Sequence, residues 1–342
     1  MKIRLLTLFK YFFFFALGIF FVWLSVRNIN YDNWLQIKAA IARGRKWVIL
    51  PVVFVLLIAH YSRAMRWKLL MEPLGYKPSD FNVFAAVMIG YMVNAAVPRL
   101  GEVFKCTILA RYEKVKVDKL IGTILVERAV DMICLLIVFF LAIISQGAIF
   151  RQYMQKMLVA FFHDKTGNLS ILKLSIALGA FLFFILLIYF ILKKLGHIDL
   201  VSRIKTVIKN ILQGLSSIKN LKTKRWFIFH SILIWSMYYL ASYLGLFALR
   251  ETQVLGLGGG LTTLAVGTIG MILTPNGIGA YPLLIAQLLG LYGLNPDTTG
   301  NASGWLMWCA QTFIILIGGL ICFILISQTN KKDIQTESQE NT

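Results

Sequence analysis

Two apolar stretches of the chain are interrupted by Pro and Gly residues: VNAAVPRLGEVFK (Val93–Lys105) and MILTPNGIGAYPLL (Met271–Leu284). They stand at matching places in the two halves of the chain. Such a break leaves backbone groups unpaired at membrane depth, which is tolerated only where the backbone faces protein or a water-filled cavity. Paired broken segments in related halves also mark the binding sites of transporters. The two stretches therefore predict a membrane transporter with its site at the breaks.

The composition is that of an integral membrane protein. Of the 342 residues, 58% are hydrophobic and 15% are charged, whereas soluble domains hold about 25% charged residues. Apolar stretches of about 20 residues, the length that crosses a bilayer, recur from end to end. This pattern excludes a secreted soluble enzyme.

The net charge of +20 comes from Lys and Arg residues that lie mainly between the apolar stretches. There they set orientation and contact anionic lipid, so no nucleic-acid partner is expected. The four Cys residues form no CxxC pair. Neither a disulfide framework nor a metal site is predicted, and no cofactor is expected.

The predicted fold class is an all-α polytopic helical bundle with two broken or re-entrant hairpins. The predicted spans are Leu5–Val26, Trp47–Tyr61, Leu120–Ile144, Ile171–Leu192, Phe227–Leu249 and Ala302–Ser327. The broken elements are Phe81–Ala110 and Val254–Gly293. The first is expected to re-enter from one side, because its first arm is short for a crossing. The second is either a deep hairpin or two complete spans.

Both halves show the same order: a span, an amphipathic stretch, a span, a broken element and a span. The amphipathic stretches are Tyr31–Lys46 and Ile198–Lys219, each expected to lie in the interface. The loop Lys193–Arg225 holds nine Lys and Arg residues, which the positive-inside rule places in the cytoplasm. The first half then begins inside and the second outside, which predicts an inverted repeat.

These features predict the domain organisation and location. Residues 1–327 are expected to form a single integral membrane domain with half-repeats at about 1–145 and 171–327. The polar tail 328–342 is expected to be disordered. The predicted location is the cell (inner) membrane, with the N-terminus and C-terminus cytoplasmic.

The predicted span at Leu120 carries Glu127, Arg128 and Asp131 in the motif LVERAVDM. A charged residue at that depth costs about 2.5–3.5 kcal/mol on insertion scales, so it usually faces the bundle interior and is paired. Glu127 and Asp131 share a helix face at i,i+4. Two interpretations stay open: a structural ion pair that locks helices together, or a part of the transport path.

A second cluster lies at the end of the second predicted span, in HYSRAMRWKLL. Arg66 and Trp67 are expected to anchor the helix at the headgroup level. Arg63 is either a similar anchor or a phosphate ligand, since a guanidinium fork matches phosphate oxygens. His60 is expected to be a buried, hydrogen-bonded residue.

The breaks hold the remaining candidate residues of a substrate path. They are Asn94, Pro98, Arg99, Gly101 and Glu102 in the first break, and Pro275, Asn276, Gly277, Gly279 and Tyr281 in the second. Glycines permit unusual dihedrals, and a half-helix that restarts at a break directs free N–H groups at an anion. Across these regions the arginines outnumber the acidic residues, which favours a lipid phosphate. The alternative is that the breaks are hinges with no ligand.

Four motifs of the chain resemble the membrane region of the lysylphosphatidylglycerol synthase family, the flippase-like part of the bacterial multiple peptide resistance factor. They are SRAMRWKLL with the following Gly75, GYMVNAAVPRLGE, LVERAVD and TPNGIGAYP, spread over Ser62–Pro282. The resemblance implies a protein that moves a phospholipid or polyprenyl-type lipid between leaflets. It implies membrane phospholipids and a separately encoded lipid-modifying enzyme as partners. It also assigns path roles to Arg63, Arg66, Asn94, Pro98, Gly101, Glu102, Glu127, Arg128, Asp131, Pro275, Gly277 and Gly279.

The chain departs from this family in two ways. Asn276 stands where the family has a glycine, and Tyr281-Pro282 stands where an acidic residue is expected. The aminoacyltransferase domain of the full synthases is also absent from the sequence, so lysyl transfer is not expected.

Two other functions compete with lipid transport. One is a polytopic glycosyltransferase that uses a lipid-linked donor, which needs acidic residues on an outer loop. The first predicted outer loop offers only Asp32, so a non-enzymatic role is favoured. The other is an accessory subunit that binds a lipid or a partner enzyme without moving either.

Overall fold

The computed structural model describes residues 16–97, 100–149, 151–152, 175, 179, 221 and 223–340, with residues 331–340 as backbone alone. All regular secondary structure in these residues is helical, which confirms the predicted all-α class. The described helices of ten or more residues are α1 Ala16–Val26, α2 Tyr31–Arg43, α3 Ile49–Leu69, α4 Asp80–Ala96, α5 Leu100–Glu113, α6 Val117–Ser145, α7 Lys224–Leu246, α8 Gly256–Leu273, α9 Ala280–Leu291 and α10 Asn301–Glu340.

Five helical stretches of the described chain are long and apolar enough to cross a membrane, and they contain α3, α6, α7, α8 and α10. Four of the predicted spans coincide with α3, α6, α7 and α10. The span predicted to begin at Leu5 is described only from Ala16 onward, as α1. The span Ile171–Leu192, apart from residues 175 and 179, and the amphipathic stretch Ile198–Lys219 lie outside the described residues.

Two helices run further than the sequence predicts. Helix α3 continues to Leu69 instead of ending near Tyr61. Helix α10 continues to Glu340 instead of ending near Ser327. No Pro or Gly follows Gly319 to end the helix.

The two broken elements are helical hairpins. Helices α4 and α5 form the first hairpin, and α8 and α9 form the second. In the second, Thr262 Oγ1 lies 2.9 Å from Tyr292 Oη, while Gly270 lies against Tyr281. The two arms are therefore antiparallel. Helix α9 has 12 residues and is about 18 Å long, too short for a hydrocarbon core of about 30 Å. The second element is a hairpin and not two complete spans.

The contacts among helices repeat between the two halves. Helices α3, α4, α5 and α6 of the first half correspond to α7, α8, α9 and α10 of the second. Helix α4 packs against α10, and its counterpart α8 packs against α6. The contacts α3–α4 and α5–α6 recur as α7–α8 and α9–α10. The helices are thus arranged around an approximate two-fold axis.

The repeat is inverted, because corresponding helices run in opposite directions. Helix α3 packs along α7 with Ser62 Oγ, near its end, 2.9 Å from His230 Nδ1, near the start of α7. At the other end, Arg45 N donates to the Ala248 carbonyl at 2.8 Å. We call the end of the bundle where α3 ends and α7 begins face 1, and the opposite end face 2. The first hairpin enters from face 1 and the second from face 2.

The amphipathic helix α2 lies at face 2 and packs partly on protein. Ile37 and Ala40 are buried against Leu249 and Ala302. Trp34, also predicted on the apolar side, is 47% exposed. The apolar surface of α2 is therefore divided between the bundle and the surroundings, instead of facing only the membrane interface.

Candidate functional site

A cavity of about 720 Å³ lies where the two hairpins end. The first hairpin contributes Asn94 and Glu102 to its wall, and the second contributes Pro275 and Asn276. Helix α4 also contacts the turn between α8 and α9. The structure thus brings the two broken elements together around a hollow, as the sequence predicts.

The predicted site residues fall into three groups. Those that line the cavity are Arg63, Asn94, Glu102, Arg128, Asp131, Pro275, Asn276 and Tyr281. The other described members are buried in the surrounding helices: Arg66, Gly101, Glu127, Gly277 and Gly279. Pro98 and Arg99 lie outside the described residues.

Two carboxylates on consecutive turns of α6 bind three cationic side chains. Glu127 accepts hydrogen bonds from Arg63 Nε at 3.0 Å and from Lys105 Nζ at 2.8 Å. Asp131 pairs with the Arg63 guanidinium and accepts a hydrogen bond from Arg66 Nη2 at 2.6 Å. One ionic network therefore joins α3, α5 and α6.

This network lies at mid-depth in the bundle. Asp131 is the central residue of α6, which runs from Val117 to Ser145, so it is about 21 Å from either end of the helix. The Glu127 and Asp131 side chains are only 5% and 12% exposed. Charges at this depth are expensive unless they are paired, and here each carboxylate has at least two cationic partners.

A second ion pair stands beside the cavity. Arg128 pairs with Glu102 and joins α6 to α5. The Arg128 side chain is 54% exposed and the Glu102 side chain 28% exposed, and both line the cavity. This pair is more accessible than the buried network, so its charged groups are available to a ligand.

The described charges around the cavity do not cancel. The cationic side chains are Arg63, Arg66, Lys105 and Arg128, and the carboxylates are Glu102, Glu127 and Asp131. The described set carries one net positive charge. Since an uncompensated charge away from water is destabilising, this excess favours an anionic group in the cavity.

Arg66 and Trp67 are not the interfacial anchors that the sequence suggested. Neither has any exposed surface. The Trp67 indole N–H donates to Thr123 Oγ1 at 2.8 Å, and Lys105 Nζ stands 4.4 Å from the Trp67 ring centroid. The reason is the extra length of α3, whose last turns to Leu69 are buried among α5, α6 and α7.

The first break is closed by contacts across the hairpin. Asn94 Oδ1 accepts a hydrogen bond from Gly101 N at 2.8 Å, which satisfies a free N–H at the start of α5. A methyl group added at Gly101 would lie 1.9 Å from the Gly90 carbonyl oxygen. Only glycine lets the two arms approach this closely.

Residues 11–319 match the family described as the lysylphosphatidylglycerol synthase TM region. The chain belongs to this family. It is accordingly a multi-pass membrane protein. A UPF0104 membrane protein of Methanocaldococcus jannaschii is 31% identical over 98 residues, which are 28% of this chain and 29% of that relative. The chain thus matches less than a third of the length of this curated relative. No solved structure matches it.

The structure gives the two residues that depart from the pattern of the lysylphosphatidylglycerol synthase TM region, Asn276 and Tyr281, a local role. Asn276 adopts φ 50° and ψ 25°, a left-handed conformation that Asn tolerates better than most residues. Its Nδ2 donates to Thr312 Oγ1 at 3.0 Å. Tyr281 Oη accepts a hydrogen bond from Gln311 Nε2 at 3.2 Å. Both substituted residues bind the second hairpin to α10.

Sequence reasoning missed two residues of the site. One is Lys105, although a Lys within the apolar run of α5 is the same kind of signal as Glu127. Tyr238 accepts a hydrogen bond from Arg63 Nη1 at 3.1 Å. No sequence signal distinguishes Tyr238, because aromatic residues recur throughout α7.

Proposed function

We propose that this protein transports a lipid between the leaflets of the cell (inner) membrane, with the headgroup held in the cavity. The observation that carries the proposal is the position of the cavity, at mid-depth between hairpins that enter from opposite faces. In transporters built from inverted repeats the substrate site lies near the midplane at the repeat interface. The family is consistent with a lipid-related role.

The charge of the site supports an anionic headgroup. Arg63 and Arg128 line the cavity, and a guanidinium fork binds two phosphate oxygens at once. Both arginines are also paired with carboxylates, so neither is left without a counter-charge when the cavity holds no headgroup. An anionic phospholipid or a polyprenyl-linked lipid would take up the one net positive charge.

The wall of the cavity supports a path for the acyl chains. Met132 on α6 and Ile272 on α8 line the cavity, yet they are 58% and 68% exposed. The cavity therefore continues onto the apolar outer surface beside these two helices. A headgroup would enter there while its hydrocarbon tails stay in the bilayer, and relative motion of the two repeats would expose the site to each leaflet in turn.

The test is leaflet exchange in vesicles that contain the purified full chain. Fluorescent anionic lipid in the outer leaflet is quenched by dithionite, and exchange exposes the lipid of the inner leaflet. We expect exchange that is faster than in empty vesicles. Arg128→Gln should slow it about tenfold or more, because it removes charge-assisted hydrogen bonds to phosphate. Arg43→Gln is the control, since it removes the same charge at face 2, outside the cavity. A rate equal to that of empty vesicles, across anionic phospholipids and polyprenyl phosphate, would overturn the proposal.

We also propose that the role is non-enzymatic. A separate proposal concerns orientation: both termini lie in the cytoplasm. Helix α10 ends at face 1, and α1 runs toward face 2, where Ser25 contacts Asn301. The link between α5 and α6 at face 1 carries Lys114 and Lys116, as the positive-inside rule prefers. Single cysteines introduced at Lys116 and at Arg45, in a cysteine-free background, should be labelled from the cytoplasm and from outside respectively. The reverse labelling would contradict this orientation.

A further inference from the structure

One part of the cavity wall is polar but uncharged. His60, Trp235 and Thr263 line the cavity. Each has a buried atom without a hydrogen-bond partner among the residues that the structure describes: His60 Nδ1, Trp235 Nε1 and Thr263 Oγ1. His60 is 6% exposed and Thr263 is fully buried. A buried polar group left unpaired costs about 1–3 kcal/mol, so three around one cavity indicate that something in the cavity pairs with them.

Two of these residues, His60 and Trp235, pack against Tyr238, which also contacts the ionic network. The ring centroid of Tyr238 is 6.5 Å from that of His60 and 6.2 Å from that of Trp235, while its hydroxyl accepts the hydrogen bond from Arg63. His60 lies one turn before Arg63 on α3, or about 4.5 Å nearer to face 2. Thr263 lies in the second or third turn of α8, which begins at face 2. We call the part of the wall that His60, Trp235 and Thr263 form the neutral end of the cavity.

The donors and acceptors of the neutral end limit what it binds. The Trp235 indole N–H only donates, the Thr263 hydroxyl donates and accepts, and His60 Nδ1 does either according to the tautomer. An ammonium group only donates, so it leaves the Trp235 N–H unpaired. A phosphate only accepts, and it is better held by the guanidinium groups of the ionic network. Hydroxyl groups donate and accept, and they match the whole set.

We infer that the neutral end is a subsite for uncharged hydroxyl groups of the lipid headgroup. The preferred substrates would then carry a polyol or a sugar next to the phosphate. This inference rests on the proposed function, because it assumes that the headgroup enters the cavity.

The test compares two lipids that differ only in hydroxyl groups. Phosphatidylglycerol and phosphatidylpropanol have the same phosphodiester, the same charge and the same three-carbon headgroup, but only the first has two hydroxyls. Their binding to the purified full chain is measured by titration in detergent micelles. We expect at least about tenfold tighter binding of phosphatidylglycerol, since one hydrogen bond contributes about fivefold.

Variants assign the preference to the neutral end. Thr263→Val keeps the shape of the side chain and should reduce the preference about fivefold without changing the affinity for phosphatidylpropanol. Trp235→Phe should act in the same way. The matched controls are Thr268→Val, since Thr268 lines the same cavity but its hydroxyl already donates to the Leu264 carbonyl at 2.7 Å, and Trp226→Phe, at the exposed start of α7.

Three results would overturn the inference: equal binding of the two lipids by the wild type, an unchanged preference in Thr263→Val, or an equal loss in Thr268→Val. If Trp235→Phe does not fold, the isosteric Thr263→Val variant still decides the question. Leaflet exchange is measured separately on the same protein. A hydroxyl preference without exchange would refute transport and leave the subsite standing, whereas exchange without a preference would refute the subsite alone.

Discussion

The two hairpins share one backbone plan but are fixed to the bundle by different chemistry. The first is joined to α6 by charge, through Lys105 with Glu127 and Arg128 with Glu102. The described polar contacts between the second hairpin and α10 are neutral hydrogen bonds, of which Tyr281 with Gln311 is one. We call these the ionic lock and the neutral lock.

The two locks occupy related positions in the repeat. Glu127 and Gln311 are each the eleventh residue of their helices, α6 and α10, which correspond to each other. Each contacts a residue near the start of the second arm of a hairpin, Lys105 in α5 and Tyr281 in α9. The repeat has therefore kept the geometry of the contact and changed its charge. Removing one partner of an ionic contact in a low-dielectric interior lowers the stability of the protein more than removing one partner of a neutral contact does.

The largest effect is expected from breaking the ionic lock. Glu127→Gln keeps the size of the side chain but leaves Lys105 and Arg63 without this counter-charge, and we expect a loss of about 3–5 kcal/mol in the free energy of unfolding. The measurement is unfolding by SDS titration in mixed micelles. Glu251→Gln is the control, because the exposed pair that it breaks is 3.8 Å apart and contributes at most about 1 kcal/mol. A loss no greater than that of the control would show that the ionic lock does not stabilise the protein.

A smaller effect is expected where the arms of a hairpin touch. The methyl group of Gly101→Ala would meet the rigid Gly90 carbonyl, and such overpacking costs about 1–3 kcal/mol. Gly270→Ala, in the second hairpin, would place its methyl 2.6 Å from Tyr281 Cα and should cost a similar amount. These two variants test a feature that both hairpins share, the close approach of their arms.

The control for these glycines is Gly122→Ala on α6. A methyl group at Gly122 would meet no atom within 4 Å, so we expect no loss, or a gain of up to about 1 kcal/mol from helix propensity. SDS titration again provides the free energies. Equal values for Gly101→Ala and Gly122→Ala would mean that α4 and α5 do not approach as closely as the structure shows.

The neutral lock should be weaker than the ionic lock. Gln311→Leu removes the hydrogen bond to the Tyr281 hydroxyl, and we expect a loss of about 1–2 kcal/mol. The double variant Gln311→Leu/Tyr281→Phe should lose less than the sum of the single variants, since the two residues are partners. A loss as large as that of Glu127→Gln would remove the difference between the two locks.

Local signals were enough to predict the breaks and the described membrane helices α3, α6, α7 and α10. Pro98, Pro275 and the neighbouring glycines interrupt apolar runs, and these interruptions give both hairpins their places. The i,i+4 spacing of Glu127 and Asp131 also predicts which face of α6 carries the charges. The positive-inside rule predicted that the two halves enter the membrane from opposite sides. The antiparallel packing of α3 against α7 agrees with this inverted order.

The partners of these residues could not be predicted, because they depend on packing between distant parts of the chain. The burial of Arg66 and Trp67 requires three other helices around the end of α3, whereas the local sequence is typical of an interface. The neutral end of the cavity combines His60, Trp235 and Thr263, which are far apart in the sequence and unremarkable individually. No periodicity identifies such a set.

The smallest effect is expected at Asn276, where the chain departs from its family. Asn276→Gly loses the hydrogen bond to Thr312, worth about 1 kcal/mol, but glycine adopts the φ of 50° at no steric cost. The lost hydrogen bond and the relief of the strain that a non-glycine residue bears at this φ nearly cancel, so the unfolding free energy should change by less than about 1 kcal/mol. Asn276→Ala loses the same hydrogen bond and adds left-handed strain of about 1–2 kcal/mol. The backbone carbonyl at this position still accepts from Trp308 Nε1, at 2.8 Å in the wild type, in both variants. The difference between them therefore measures the left-handed strain of Ala less about 0.4–1 kcal/mol, the extra conformational entropy that glycine loses on folding. Equal stability of the Ala and Gly variants would mean that the turn at residue 276 is not left-handed. The contribution of Asn276 to the neutral lock would then come from its side chain and not from its backbone conformation.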